Sequence, residues 1–434
     1  MAKPEQPQLI SARSTGWQQC RIAAKHLIIY KLIIDFIKQG RLKMKVMLSS
    51  IGKFHTFDMA RELSMRGLLG GIFTGYPNFK LKKENLPKSL VHTFPYLHAS
   101  YMKFPYWDLL GNKAKKEWEY WDMDLFDRYV ARNIQHCDVF SGLSGSGLKT
   151  GKVVKARGGI YICDRGSTHI RIQDQILREE HQRWGLAYNA IDPRIIEREE
   201  AEYELADNIT VPSSFVYQTF IESGVAPDKL HLIPYGVNLE KFHKMAEPCP
   251  ARFDILFVGG GSLRKGVIDL LQAYKKFRHP FKTLTMVGSF SSDFIKWLKK
   301  MNVLSDDITM TGHMPQEKLK EIMSRSHVMV LPSVEEGLAM VQAQAMACGC
   351  PVIATKNTGA HNLFVDQKEG FIVPIRQPNI IAEKLQYLAD YPDIRKSMSL
   401  LALARVREMG GWRTYGDLTA SMLKNAMSKN MAHV

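Results

Sequence analysis

A chain of 434 residues with 45% hydrophobic side chains is long enough for two or three domains with full cores, and the pattern along it predicts two. Its formal net charge of +16 points to a polyanionic neighbour, which charge alone leaves open as nucleic acid, an anionic membrane or phosphorylated substrates. The six cysteines (Cys20, Cys137, Cys163, Cys249, Cys348 and Cys350) contain no C-x-x-C, and Cys348-x-Cys350 is too tight for the usual zinc knuckles; they read as reduced thiols in a cytosolic protein.

Residues 1–43 carry 8 basic and 2 acidic side chains. Within them "RIAAKHLIIYKLIIDFIKQGRLK" is interrupted by Lys25, His26, Lys31 and Asp35, so its apolar run is too short to span a bilayer. It suits an interfacial amphipathic helix, and the lack of a cleavage site argues against a secretory signal. A second reading stands beside it. "MKVMLSS" at Met44 looks like the opening of a first strand, which would leave 1–43 as an appended or mis-started extension.

From Met44 strands and helices alternate: "KVMLSS", "FDMARELSMRG", "LGGIFTG". That is how a doubly wound parallel sheet begins, and Gly52 falls in its first strand-to-helix loop. Residues 76–125 mix lysines with Phe, Tyr and Trp, as in "FKLKKENLPK", "YMKFPYWDLL" and "NKAKKEWEYWD". The mixture suits a membrane or acceptor surface, or equally solvated helix faces whose aromatics turn inward. "WDMD" offers a D-x-D of the kind that holds a metal, yet it lies on an amphipathic stretch, so Asp122 and Asp124 read as solvated charges. "SGLKTGKV" approaches a phosphate loop, but Ser146 replaces its first glycine and Val153 stands where Ser or Thr would bind magnesium.

Strands resume with "DVFSGLSG", "GGIYICD" and "NITVPSS". After the turn-rich "HLIPYGVNLEKFHKMAEPCPARF", a second crossover series runs through "FDILFVGG", "LTMVGSF", "ITMTGH", "HVMVLPS" and "CPVIAT". The expected layout is α/β: an extension over 1–43, a first Rossmann-like domain over 44–240, a linker over 241–252, a second Rossmann-like domain over 253–410, and a helix over 411–434 returning to the first domain. The two domains would face one another across a cleft.

Two stretches carry the chemistry. "VGGGSLRKGVIDLLQAY" is a strand ending in Gly259, Gly260 and Gly261, followed by Arg264, Lys265 and Gly266 and then a helix. Glycines permit close backbone approach, and adjacent cations can neutralise a phosphate. In "VLPSVEEGLAMVQAQAMACGCPVIATKNTGAHNLF" two short strands flank "AMVQAQAMA", rich in helix formers, with Gly349 placed to end the helix. Ligands of such parallel units bind beyond the carboxyl ends of the strands, where a helix N-terminus offers free N–H groups to an anion. Glu335 and Glu336 stand there.

These stretches, with "ADNITVPSSFVYQTFIESGVAPDKLHLIPYGVNLEKF" and "GHMPQEKLKEIMSRSHVMVLPSVEEG", resemble family 4 retaining glycosyltransferases of the GT-B fold, in the family's order and from about residue 138 to 415. The resemblance implies a nucleotide diphosphate sugar as donor, an acceptor hydroxyl on a carbohydrate or lipid-linked molecule, and a role in polysaccharide or glycolipid synthesis. It implies that Glu336, before Gly337, takes the first place of an E-x7-E motif and meets the sugar hydroxyls. Gln344 holds the second place, where a carboxylate would meet the ribose; an amide still bonds a diol, but without charge. The family's arginine after the first strand of the donor domain falls on Gly260, so Arg264, beside the matching Lys265 and following Gly259, is its replacement. Ala339, Met340 and Val341 match the turn whose amides meet the diphosphate, and His313 lies in the loop expected near the base.

In "IYICDRGSTHIRIQ" the resemblance places a polar group facing the reacting sugar, His169 first and Asp164 second; the alternative is that Asp164 caps a helix and His169 packs on it. No metal or cofactor is expected, and no aromatic and basic RNA motif supports nucleic acid. The expected place is cytoplasmic, with the lysines of 80–116 and residues 22–37 suited to an anionic membrane surface. The rival reading is a non-catalytic nucleotide-sugar binder that lost its chemistry through Gln344 and Gly260.

Overall fold

A computed structural model describes residues 44–104 and 107–432, of which those from Lys45 onward belong to one unit. The readings of 1–43 as an amphipathic or an appended segment lie outside the described residues. Two all-parallel sheets organise the chain. The first runs in the order β3-β2-β1-β4-β5-β6-β7, and the second β10-β9-β8-β11-β12-β13.

In the first sheet the strands are β1 (Val46–Ser50), β2 (Leu69–Thr74), β3 (Val91–Thr93), β4 (Val139–Leu143), β5 (Ile160–Asp164), β6 (Asn208–Val211) and β7 (Leu230–Leu232). In the second they are β8 (Phe253–Val258), β9 (Lys282–Val287), β10 (Ile308–Gly312), β11 (Val328–Leu331), β12 (Val352–Thr355) and β13 (Gly370–Val373). The central strands are continuous apolar or small-residue runs because helices cover both faces of a parallel sheet; β1 and β5 are buried along their whole lengths. Strands β3, β7 and β13 were not read from the sequence as strands. All three lie at sheet edges and are three or four residues long, so they carry little of the hydrophobic signal.

Among the described residues the α-helices are α1 (Thr56–Met65), α2 (Tyr96–Lys103), α3 (Trp107–Asn133), α4 (Leu148–Ala156), α5 (Ile170–Arg183), α6 (Pro193–Leu205), α7 (Ser214–Glu222), α8 (Val267–Lys276), α9 (Ser292–Lys300), α10 (Gln316–Arg325), α11 (Val341–Ala347), α12 (Pro378–Asp390), α13 (Pro392–Glu408) and α14 (Gly411–Ala432). After α13 the chain crosses back, and α14 lies against α1, where Arg66 donates to Asp417 at 2.7 Å and to the Arg413 carbonyl at 2.9 Å.

The D-x-D aspartates are not solvated. Asp122 and Asp124 are buried, with Asp122 bonded to His98 at 2.9 Å and Asp124 paired with Arg128 at 2.6 Å, Arg198 at 2.8 Å and Lys149. Opposite charges on α4 and α6 meet this face of α3, so the aspartates are ion-pair partners in the first domain. The phosphate-loop look-alike is likewise occupied from within: the amides of Gly145, Gly147 and Leu148 donate to the buried Glu202 carboxyl at 2.6, 2.7 and 3.0 Å. Burial, reinforced by Glu199, raises the Glu202 carboxyl to about 8 against the pull of those amides. Of the described cysteines, all free, Cys249 is exposed and the others are buried.

Each sheet reverses its winding once, between β1 and β4 in the first and between β8 and β11 in the second. Open parallel sheets bind ligands beyond the carboxyl ends of strands at such points. At the reversal of the second sheet, the loop after β11 meets the loop after β5 of the first.

Candidate functional site

The loop after β8 ends in a tight turn. Gly266 has φ of +63°, and a Cβ there would sit 2.0 Å from the Pro332 carbonyl, so only glycine lets this loop lie against the one after β11. Val334 N–H donates to the Arg264 carbonyl at 2.8 Å, which fixes Arg264 and Lys265 beside the acidic loop. The loop after β12 holds the other side: Glu336 N–H donates to Asn357 O at 3.0 Å, Ala339 N–H to Thr358 O at 3.1 Å, and Asn357 Nδ2 to Val334 O at 2.8 Å.

Two adjacent glutamates emerge from this frame with different surroundings. Glu335 is fully buried and is gripped from the first domain: Ser167 Oγ donates to it at 2.6 Å, Thr168 Oγ1 at 2.9 Å, Thr168 N–H at 3.2 Å and Gln173 Nε2 at 3.2 Å. Arg264 Nε donates to its other side at 2.7 Å. Burial works against the charge of Glu335, but Arg264 and the Ser167 and Thr168 donors prevail and hold its carboxyl below the ordinary glutamate value. Glu335 therefore ties the loop after β5 to the loop after β11, a role that sequence reading did not assign to it.

Glu336 is ion-paired with Lys265 and lies 3.6 Å from Arg264 Nη2. Arg264, its guanidinium charge favoured by Glu335 and Glu336 over the cost of burial, is thus committed to Glu335, whereas among the described residues Lys265 pairs with Glu336, which Arg264 reaches at longer range. A ligand that is anionic at one end and hydroxylated at the other can replace this pair by taking each partner separately.

The first domain closes onto the same loop. A Cβ at Gly337 would fall 1.8 Å from the Gly166 carbonyl, so the two domains touch backbone to backbone, and Ser213 Oγ donates to the Gly337 carbonyl at 2.6 Å. Arg183 donates to Asp269 at 2.7 and 2.9 Å and Arg376 to Glu180 at 2.7 Å, which ties the domains further out. Just before Gly166, Asp164 accepts from His55 Nε2 at 2.6 Å and from Thr210 Oγ1 at 2.8 Å. The His55 ring stacks on Tyr235 at 4.2 Å, and Tyr235 packs against Trp412 and Tyr415 of α14. Asp164 is thus an acceptor that orients His55, not the helix cap of the alternative reading.

His169 is placed elsewhere. Its backbone N–H donates to Thr219 at 3.1 Å, and its ring lies 5.1 Å from both Tyr203 and Phe220, with Nδ1 buried and unpartnered. Desolvation lowers its pKa to about 4. In the structure His169 packs against Tyr203 and Phe220, and the histidine that lies beside Gly166 is His55. Because the folded pKa lies below the free value of about 6.5, the unfolded chain binds a proton that the folded one refuses, and stability falls as pH drops from about 6.5 to 4. His169→Phe is expected to remove most of that slope in urea unfolding while donor binding persists. Loss of donor binding in this variant, with the fold intact, would return His169 to the site.

Of the remaining candidates, Gly259 follows β8 with its N–H donating to Val287 O at 2.9 Å, and His313 is exposed in the loop after β10. Met340 and Val341 begin α11, but the Ala339 amide is already taken by Thr358, so one of the three amides assigned to a diphosphate is spent on the fold. Gln344 is half-buried on α11, and Gln342 beside it is wholly buried and bonded to Ala339 O at 3.3 Å and Thr358 O at 2.9 Å. At Gly260 a Cβ would meet only Ser289 O, at 3.8 Å, so the missing arginine is not excluded by space. Among the described residues no three His, Cys, Asp or Glu side chains cluster as metal ligands, and no helix is long and apolar enough to cross a membrane. His55 left one sequence signal: it follows Gly52 in the first strand-to-helix loop.

The two facing parallel-sheet domains define the fold as GT-B. Sucrose-phosphate synthase from Thermosynechococcus elongatus superposes with a TM-score of 0.68 at 20% identity, covering 89% of this chain and 100% of that one. Anabaena HepE in complex with UDP and glucose does so at 0.65 and 16%, covering 88% and 100%. Residues 241–402 match the family model of glycosyl transferases group 1. Curated relatives include an uncharacterized glycosyltransferase of Methanocaldococcus jannaschii, 31% identical over 143 residues (33% of this chain, 40% of that protein), and the D-inositol 3-phosphate glycosyltransferase of Paenarthrobacter aurescens, 28% over 253 residues (53% and 61%). The lipopolysaccharide 1,2-N-acetylglucosaminetransferase of Salmonella typhimurium is 26% identical over 255 residues (52% and 65%). The matches span 40% to 65% of the lengths of these relatives.

Proposed function

We propose that the protein transfers a sugar from a nucleotide diphosphate sugar to an acceptor hydroxyl with retention of anomeric configuration, in polysaccharide or glycolipid synthesis. The observation that carries this reading is the meeting of the Lys265–Glu336 pair, at the winding reversal of the second sheet, with the loop that presents Asp164 and Gly166 in the first. The names of the relatives and the UDP and glucose held by HepE support a nucleotide-sugar donor.

In the proposed reaction the bond from the anomeric carbon to the diphosphate oxygen breaks as the bond to the acceptor oxygen forms on the same face, and the acceptor's proton passes to the departing diphosphate. On donor binding Lys265 turns from Glu336 to the diphosphate, where a well-placed donor of this kind contributes about 3–4 kcal/mol to the transition state. Glu336, released, accepts from the sugar hydroxyls. Arg264 keeps its charge beside the leaving group while remaining on Glu335. His55, oriented by Asp164, hydrogen-bonds the reacting sugar from the first domain, and Gln344 meets the ribose without charge.

Glu336→Gln is expected to slow transfer and blur discrimination among sugars while nucleoside diphosphate binding survives. If calorimetry showed the free nucleoside diphosphate no longer bound, the carboxylate's role would have to be reassigned. With cationic side chains taking the diphosphate charge, saturating chelator is expected to leave the initial rate nearly unchanged; a rate restored only by manganese or magnesium would contradict this. A panel of nucleotide sugars screened by thermal unfolding tests the donor directly, since a ligand at 100 times its dissociation constant adds about 2.7 kcal/mol.

A further inference from the structure

His55 can serve a reacting sugar only if its ring is held at one angle. The residue is buried at the N-terminal cap of α1, and its Nε2 donates to Asp164 at 2.6 Å, which fixes one atom of the ring. The torsion that turns a histidine ring about its Cβ–Cγ bond has broad minima, so a single hydrogen bond leaves the ring plane free to tilt. A stacked partner removes that freedom. Tyr235 is such a partner: the two ring centroids lie 4.2 Å apart, with the planes 28° from parallel.

Tyr235 is held by its backbone and its ring, not by its hydroxyl. Among the described residues Tyr235 Oη has no hydrogen-bond partner, although it is buried. The next residue, Gly236, lies against the start of α14: a Cβ there would fall 2.4 Å from the Gly411 carbonyl carbon and 2.4 Å from the Trp412 nitrogen. Gly411 has φ of +65°, and a Cβ on it would lie 2.7 Å from the Val237 carbonyl, so glycine at both places lets the two segments touch. That contact brings Trp412 and Tyr415 to the Tyr235 ring, with centroids at 6.5 and 6.1 Å, and the two meet one another edge-on at 5.3 Å. On the side of the site, a Cβ at Gly166 would lie 3.2 Å from Tyr235 Oη and 3.8 Å from His55 Cε1. Continuous packing thus runs from α14 through Tyr235 and His55 to the loop whose carbonyl meets Gly337.

We propose that Tyr235 is a positioning residue for sugar transfer: its stack on His55, backed by Trp412 and Tyr415, holds the imidazole at the angle from which it reaches the reacting sugar. Helix α14 is then part of the site's support as well as a tie between the domains. The proposal rests on the sugar-transfer reading and adds to it a residue that acts through His55.

Turnover of the full chain at saturating donor tests it. Tyr235→Leu is expected to lower kcat about tenfold with little change in the donor KM, and Tyr235→Phe, which keeps the stacked ring, to recover most of the rate. Trp412→Leu, at a half-buried side chain, should lower kcat in the same sense and carries the test if Tyr235→Leu does not fold. In a His55→Ala background Tyr235→Leu should cost nothing further, since a residue that acts through His55 has nothing left to act on. Normal kcat in either folded variant, or a loss that persists undiminished in the His55→Ala background, would overturn the proposal. The ring also gives a readout that needs no turnover. In proton NMR with isotope-labelled histidine, the His55 Nε2–H bonded to Asp164 should appear far downfield in the unmodified chain and in Tyr235→Phe, and be lost to solvent exchange in Tyr235→Leu. Its absence from the unmodified chain, or its retention in Tyr235→Leu, would equally overturn the proposal. The expected NMR pattern in a chain that releases no nucleoside diphosphate from any nucleotide sugar would remove the transfer reading alone.

Discussion

Lys265→Ala is expected to slow transfer by about 100-fold or more while the chain stays folded. Lys265 is partly exposed at the end of a short turn, and its ammonium meets Glu336. Removing it therefore deletes a charge from the cleft without opening a cavity in either core. The departing diphosphate gains negative charge as the glycosidic bond breaks, so a cation beside it stabilises the transition state more than the bound donor. The loss should thus fall mainly on kcat, with a smaller rise in KM for the donor. Near-normal turnover in the variant, measured with saturating donor, would contradict the assignment of Lys265 to the leaving group.

Glu335→Ala is expected to destabilise the protein by about 3 kcal/mol, the lower end for breaking one side of a buried ion pair because the Arg264 guanidinium is partly exposed. The substitution strips Arg264 of its carboxylate and leaves Ser167, Thr168 and Gln173 without their common acceptor. Urea unfolding reads the loss, and Glu335→Gln, which keeps the shape but not the charge, should lie between. The pH dependence has a definite sign. The folded carboxyl is held below its ordinary value, so its stabilisation is complete above the unfolded pKa of about 4.3 and is lost as pH falls through the lower folded pKa. A Glu335→Ala chain as stable as the unmodified one at neutral pH would show that the two domains do not depend on this contact.

The central strands of both sheets and the helix before Gly349 were legible because each is a strong local pattern: a short apolar or small-residue run between turn residues, or a run of helix formers closed by a glycine with φ of +74°. The edge strands β3, β7 and β13 were not, being too short to show a period. At the site, the resemblance singles out Lys265 and Glu336 by their places beside Gly266 and Gly337, and the structure brings the two side chains together as an ion pair. The division of labour between Glu335 and Glu336 could not be read from the sequence. Adjacent in sequence, they differ in that one faces Ser167, Thr168 and Gln173, about 165 residues away in the chain, and no local pattern encodes such a contact. The place of His55 was not legible for the same reason: its partner Asp164 lies 109 residues away, and the rings of Tyr203 and Phe220 that flank His169 are likewise distant in the chain.

The central claim is that this cleft breaks the bond between a sugar and a nucleoside diphosphate. Proton NMR of the unmodified chain incubated with a panel of nucleotide sugars, with water or dodecyl maltoside as the accepting hydroxyl, measures it most directly. The account predicts release of the nucleoside diphosphate from one donor class, together with a new anomeric signal of the same configuration as the donor. No release from any donor would contradict the transferase reading, and a product of inverted configuration would contradict retention.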